Sequence, residues 1–409
     1  MKRQTINVVI DYNNLFFRSL FTTPAKKDAN TKYFQRQQDI NAFVCKLCKD
    51  TINILQNHFT QCRVYVAMDD KNPWRRDILD TMPVSGYKAN RTRSEEYDWD
   101  IIYHNSNVFR DLFTTRTNAC KLEVNRGEAD DIMCLIKEEL FKKTDDNSIV
   151  FVTSDQDIRQ LIDYNASTGQ YVCCMNPISK VIGNSYKRDL YVHPEQLKTL
   201  RKTLNEDGTE TKRTAAEIIF GDFIMDKYDT DMLFNEDKVV FTEENPDDVL
   251  IHKLLCGDDG DNIPALYVYT DDKLRTKRIT PSIEKKIRKS LFVNTAQDLN
   301  ESLDALDDAV KRALKVDELD YEVSGIRYEK QRKLVELNKD LFPVDMVNEF
   351  SLKYYDLLGV EKLTTATLNI EHILSGTGYM DYINTPTQNA TLRDVNRYLK
   401  KNAIDALFD

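Results

Sequence analysis

The segment GDDGDN, residues 257–262, places Asp258, Asp259 and Asp261 within four residues, with glycines between them. Carboxylates this close repel one another unless water screens them or a cation sits among them. They do not stand alone. Three short apolar runs, residues 6–10 (INVVI), 64–68 (VYVAM) and 149–153 (IVFVT), read as buried strands. Each is followed closely by an acid: Asp11, Asp69 and Asp155. GEADD adds Glu128, Asp130 and Asp131 at the start of a helical pattern, and TSDQD adds Asp157 two residues after Asp155.

Bland explanations exist for each residue taken singly. An aspartate after a strand often caps the next helix. Acids in a first helical turn gain about 0.3–1 kcal/mol each from the dipole. Neither explains why successive strand ends all carry one. Oxygen donors without His or Cys partners select hard divalent ions, Mg²⁺ or Mn²⁺. Two such ions, about 3.5–4 Å apart, are the usual apparatus of phosphodiester hydrolysis, one activating water and the other stabilising the leaving oxygen. The alternative of a structural Ca²⁺ loop lacks its spacing, because no D-x-D-x-D-G run with a Glu at the twelfth place is present.

These acids need a scaffold that delivers them to one place. The first half alternates short apolar runs with amphipathic helices, such as 38–59, where Ile40, Phe43, Val44, Leu47, Ile52 and Leu55 recur at helical spacing. A second helix is expected at 130–141. This is the pattern of an α/β fold with a mostly parallel central sheet flanked by helices. In such sheets ligands bind outside the carboxyl ends of the strands, which is where Asp11, Asp69 and Asp155 would emerge. A boundary is expected near 190–200, giving an α/β core over 1–195. Residues 202–248 are polar and acid-rich, so 196–250 reads as an insertion. From 251 to 400 the pattern is mostly helical, and 401–409 forms a tail.

Composition narrows the classes. With 409 residues, 41% of them hydrophobic, the chain can bury a large core in two or three units. No apolar run approaches the ~20 residues of a membrane span, and Asp11 interrupts the start too early for a secretory signal. A soluble intracellular monomer is expected. The eight cysteines are scattered and read as reduced structural thiols. Cys45-Lys-Leu-Cys48 is a lone CxxC without two further ligands at matching spacing, and the five histidines show no paired spacing. A net charge of −10 argues against a bulk polyanion binder, although basic residues concentrate in a few stretches.

The ordered set VVIDYNN, AMDDKNPWRRDI, YKANR, GEADD, TSDQD and GDDGDNIP resembles the motifs of the 5′-nuclease (flap endonuclease) superfamily, and is most similar to its phage ribonuclease H branch. The last motif separates that superfamily from simpler PIN-type ribonucleases. The resemblance implies a PIN-like core and a helical domain with a helix–three-turn–helix DNA-binding motif. It implies metal ligation by Asp11, Asp69, Glu128, Asp130, Asp155, Asp157, Asp258 and Asp261, holding two Mg²⁺ for which Mn²⁺ can substitute. Asp70 stands where the family usually has glycine, and Asp259 has no counterpart. Arg75 and Lys88 match the basic residues brought onto the scissile phosphate, as a bidentate fork and a mobile point charge. Trp74 and Tyr87 flank them, either to stack on a base or to pack under a loop. An arch over about 71–100, with Arg91 and Arg93, is implied to pass a single-stranded 5′ end.

The same resemblance places a duplex grip after GDDGDNIP, in KLRTKRITPSIEKKIRKS, with Lys277, Arg278, Lys285 and Lys286 on phosphates. Thr280 followed by Pro281 is a good helix start. The stretch NIPALYVYTDD lacks the glycine of the motif's usual turn. The terminal KKNAIDALFD, with Ile404, Leu407 and Phe408, is similar to sliding-clamp-binding peptides; an ordinary terminal helix is the alternative. The implied activity is a 5′-3′ exonuclease and flap endonuclease with RNase H activity, removing RNA primers and 5′ flaps during phage lagging-strand replication in the host cytoplasm. Its partners would be DNA and RNA–DNA duplexes, a sliding clamp and a single-stranded-DNA-binding protein. A catalytically silent DNA-binding scaffold and a PIN-type endoribonuclease are the rival readings.

Overall fold

The computed structural model describes residues 5–28, 30–79, 86–89, 91, 93–144, 146–182, 185–196, 239–270, 273, 275–354 and 356–380. Strand β1 (Thr5–Asp11) runs parallel to β2 (Gln61–Ala67) on one side and β4 (Asn147–Val152) on the other. Strand β3 (Cys120–Leu122) extends the parallel set beyond β2, and β6 (Tyr171–Ile182) extends it beyond β4, with the two-residue β5 (Asp163–Tyr164) antiparallel to β6. Successive strands therefore step outward from β1 to β3, and the chain then crosses back to place β4 on the other side of β1. That reversal opens a crevice at the carboxyl ends of β1 and β4. The register sets Asp11 beside Ala67 and Ile10 beside Val152, so Asp69 and Asp155 leave the sheet along the same edge as Asp11.

The strands are apolar on both faces because both faces are covered. Alternation sends Val8, Ile10, Val64 and Val66 to one side, against Leu15 and Phe16 of α1 (Tyr12–Phe21), Phe43 and Leu47 of α2 (Gln37–His58), and Phe109 of α4 (Trp99–Arg116), the short α3 (Arg75–Leu79) preceding α4 in the chain. Val9, Tyr65 and Ala67 face the other side, against Ile132, Met133 and Ile136 of α5 (Ala129–Ile136). Beyond β6 the sheet turns antiparallel at β7 (Ser185–Val192), and β8 (Val239–Glu243) lies parallel to β7. Part of the stretch expected as an insertion is thus a sheet strand; residues 197–238 lie outside the described residues.

A third core, over residues 251–335, joins the helices Pro246–Cys256, Pro281–Leu291, Leu303–Leu314 and Ile326–Val335, and takes in Tyr87. It is not purely helical. A hairpin of β9 (Val268–Thr270) and β10 (Thr276–Arg278) separates the first two helices, as suits the β-branched and aromatic residues of β9. The chain then returns to the sheet. Leu337, Phe342, Met346 and Phe350 pack on the α5 side, and Leu363, Leu368, Ile373 and Leu374 on the α1–α2 side. The helical unit with its own core is therefore narrower than the span 251–400 expected from pattern. The tail residues Ile404, Leu407 and Phe408 lie outside the described residues. Among the described residues no helix is long and apolar enough to cross a membrane, and all eight cysteines are free.

Candidate metal and phosphate site

The acids at or just after the ends of β1, β2 and β4 are each held by a local bond that also serves the fold. One oxygen of Asp11 caps α1 by accepting the Asn14 N–H at 3.0 Å, and the other accepts the Thr153 hydroxyl at 2.9 Å. The capping role and the cluster role coexist in one residue. Asp69 accepts from the Asn13 amide at 2.6 Å and from the Ala129 N–H at 2.7 Å, which ties the end of β2 to the start of α5. Asp155 accepts the Asp157 N–H at 2.9 Å across the turn after β4. Asp258 and Ile263 exchange two backbone bonds of 2.8 Å, closing the GDDGDN loop into a small ring.

The charges of these groups oppose one another. Burial, then Asp69 and Asp155, pushes Asp11 up to about 7. Burial and Asp155 push Asp157 to about 7 as well, against the pull of Lys253. Burial, with Asp155 and Asp11 behind it, drives Asp130 well above the usual carboxylate range. Asp69 is raised by burial and Glu128, and Asp261 by burial. Burial would raise Glu128 and Asp258 too, but Lys88 with Arg75, and Lys253, hold them below their ordinary values. This web of repulsion reaches all eight expected ligands.

Cations of the chain stand among the acids. Lys88 Nζ lies 2.5 Å from Glu128 Oε1 and 3.6 Å from Asp261 Oδ2. Lys253 Nζ bridges Asp157 Oδ1 and Asp258 Oδ2, at 2.5 Å from each. Arg91 pairs with Asp261, and the Tyr87 hydroxyl reaches Glu128 at 2.9 Å and Asp261 at 3.0 Å. Among the described residues, the one trio of possible ligand atoms within 4.8 Å of one another is elsewhere, at His252, Cys256 and Glu284. Glu128 and Asp261 are spaced around the Lys88 ammonium, and Asp157 and Asp258 around that of Lys253. The donor chemistry of the eight acids, oxygen only, fits a hard divalent cation, and such a cation would offset the repulsion that helps raise Asp11, Asp69, Asp130 and Asp157.

Several expected roles change. Arg75 does not present a free fork to a phosphate. Its side chain is 3% exposed, with Nη2 2.7 Å from Asp131 Oδ1 and Nη1 3.1 Å from Glu128 Oε2, while Nε donates to the Leu334 carbonyl. The pair of buried acids captures it, so it positions Glu128 and joins the α/β core to the helical unit. Trp74 and Tyr87 are buried, which removes both as stacking platforms; Trp74 Nε1 donates to Asp131 at 3.0 Å. Lys88 keeps partial exposure at the cluster, with a left-handed backbone (φ 57°) braced by its N–H on the Asp261 carbonyl at 3.0 Å. Arg93 lies over the Tyr103 ring at 5.0 Å.

Asp70 accepts the Asn72 N–H at 2.7 Å in a local turn, and Asp259 is exposed, with Arg278 3.7 Å away. Lys277 and Arg278 lie on β10, and Lys285 and Lys286 are exposed on the Pro281–Leu291 helix. Thr280 precedes that helix as expected, but its hydroxyl meets Ser282 rather than a helical N–H. Sequence reasoning missed Lys253, Asn13 and Thr153. Lys253 alone had a readable signal, a lysine in the last turn of the helix that leads into the acidic loop.

Residues 7–192 match the family model described as the 5′-3′ exonuclease, N-terminal resolvase-like domain. No curated protein matches the sequence. Similar solved structures include a bacteriophage T5 flap endonuclease in a pseudo-enzyme-product complex with DNA and metal ions, 15% identical over 87% of this chain and 99% of that chain, with a TM-score of 0.49. A T5 5′-exonuclease with bound zinc is 15% identical over the same shares, with a TM-score of 0.48.

Proposed function

We propose that the chain is a member of the 5′-nuclease superfamily, on the match of residues 7–192 to the 5′-3′ exonuclease N-terminal domain, and that it is a divalent-metal-dependent 5′-3′ exonuclease and flap endonuclease with RNase H activity. Its substrates are DNA and RNA–DNA duplexes with 5′ ends or flaps, and its role is removal of RNA primers and flaps during phage DNA replication. One observation carries the reading: acids from three strand ends, one helix start and one loop gather along the switch-point edge, where burial and one another's charge raise Asp11, Asp69, Asp130 and Asp157.

Asp11, Asp69, Glu128, Asp130, Asp155, Asp157, Asp258 and Asp261 would hold two Mg²⁺ or Mn²⁺. When bound, the ions supply hydroxide at neutral pH and charge stabilisation for the leaving oxygen. Lys88, flexible and partly exposed, offers its ammonium to the phosphate once a cation takes its place beside Glu128. Arg75 keeps Glu128 oriented from behind. Lys253 neutralises Asp157 and Asp258 while the site carries no ion. The half-buried Lys277 and the exposed Arg278, Lys285 and Lys286 hold the duplex through phosphates, independently of base sequence. A sliding clamp at the tail, a single-stranded-DNA-binding protein, a monomeric state and a host-cytoplasmic location complete the proposal.

Digestion of a 5′-labelled flap and of an RNA–DNA hybrid, in Mg²⁺ or EDTA, tests the reading. The native protein should cleave both only with Mg²⁺, and Asp155→Asn should lose roughly 100-fold or more. Cleavage that survives EDTA, or survives the substitution, defeats the metal mechanism.

A further inference from the structure

We propose that His252, Cys256 and Glu284 form a second metal site, for Zn²⁺ or a similar borderline-soft ion, joining the two helices on either side of the acidic loop. His252 and Cys256 are four residues apart on the Pro246–Cys256 helix, so they share one face. The Pro281–Leu291 helix packs against that face and brings Glu284, which is buried. His252 Nδ1 lies 2.8 Å from Glu284 Oε2, Cys256 Sγ lies 3.6 Å from the same oxygen, and all three ligand atoms fall within 4.8 Å of one another.

A tetrahedral zinc with its usual bond lengths spaces its ligand atoms roughly 3.3–3.8 Å apart. The trio meets that spacing after adjustments of about an ångström, and the half-exposed imidazole supplies most of the movement. Glu284 is already fixed, with Arg288 Nη1 3.6 Å from its other oxygen and Arg288 Nη2 engaged by Asp248 at 2.7 Å. Water fills the fourth position on the open side, beside His252, whose side chain is 42% exposed. Binding expels the thiol proton to solvent as the metal–sulfur bond forms.

The donor set separates this site from the carboxylate cluster. One sulfur, one imidazole and one carboxylate favour zinc, whereas the oxygen-only cluster favours Mg²⁺. The ion would lock the helix that ends at Gly257, just before Asp258, to the basic helix carrying Lys285 and Lys286. The site does not depend on the nuclease reading.

Co²⁺ titration of the full chain, stripped of metal and held in excess Mg²⁺ to fill the carboxylates, tests the proposal. One equivalent should produce thiolate-to-cobalt charge-transfer absorption, and Zn²⁺ should abolish it. Cys256→Ser should remove the band, His252→Ala should weaken binding about tenfold or more, and Asp155→Asn should leave the band intact. Absence of the band in native protein, or its persistence in Cys256→Ser, overturns the site. If circular dichroism shows that Cys256→Ser alters the fold, His252→Ala decides, and unchanged affinity there overturns it equally.

Discussion

Burial, reinforced by Asp69 and Asp155, holds the Asp11 carboxyl at about 7, and burial with Asp155 does the same for Asp157. In an unfolded chain both ionise near 3.9. The native state therefore keeps protons that the unfolded state releases, and stability must fall as pH rises. The contribution is complete below about pH 4 and is lost on the way through about 7. Each group tilts stability by up to about 1.4 kcal/mol per pH unit in that window. In EDTA the unfolding temperature should drop steadily from about pH 5 to 7.5, and excess Mg²⁺ should flatten the slope by neutralising the same carboxylates. A melting temperature that rises with pH in EDTA would contradict the account. The same scale separates Arg75 from Lys88. Both are basic and both reach Glu128, yet one is sealed between two buried acids and the other keeps a quarter of its side chain in solvent.

At the scale of elements, the acidic loop works because Gly257 turns it. Its φ of +74° suits glycine, and a Cβ there would sit 2.3 Å from the Pro264 carbonyl oxygen. Gly257→Ala should cost roughly 3 kcal/mol and misplace Asp258 and Asp261, lowering Mg²⁺-dependent cleavage. Gly376, at φ +66° and with open space for 4 Å around the position a Cβ would take, makes the control. Gly376→Ala should cost only about 1 kcal/mol and leave cleavage alone. Urea unfolding and a flap assay on both variants check this, and equal effects would remove the close approach as the cause. The strands ending at Asp11, Asp69 and Asp155, and the helix Gln37–His58, were legible because burial and periodicity act locally. The β9–β10 hairpin left no signal, because its two strands are three residues each, too short to show an alternation. The return of Leu363–Thr364 to pair with β2 was unreadable, because pairing with a strand some 300 residues away leaves no periodic trace. Arg75 was misjudged for the same reason, since its captor Asp131 and its acceptor Leu334 come from different parts of the chain.

Across the whole molecule, 67 acidic residues outnumber 57 basic ones, yet the two signs are not mixed evenly. The acids converge at the carboxyl edge of the sheet, while Lys285, Lys286 and Arg278 face solvent on the neighbouring helical unit. A chain of net charge −10 should therefore bind a duplex through one local patch, neutralising far fewer phosphates than its lysine and arginine count suggests. Counterion release converts that number into a slope. Each duplex phosphate neutralised contributes about −0.9 to the dependence of log K on log salt. Replacing Lys285 and Lys286 with alanine should make the slope shallower by about 1 for each phosphate no longer neutralised, and weaken binding most at low salt. Lys142 and Lys143, exposed but paired with Glu138 and Glu139 after α5, provide the matched control. Their alanine replacements remove the same formal charge without touching the patch, so the slope should stay near the native value. Fluorescence anisotropy of a labelled duplex across a salt series measures both. If the two double variants shift the slope equally, net charge rather than the helical patch governs binding, and the grip assigned to the Pro281–Leu291 helix fails.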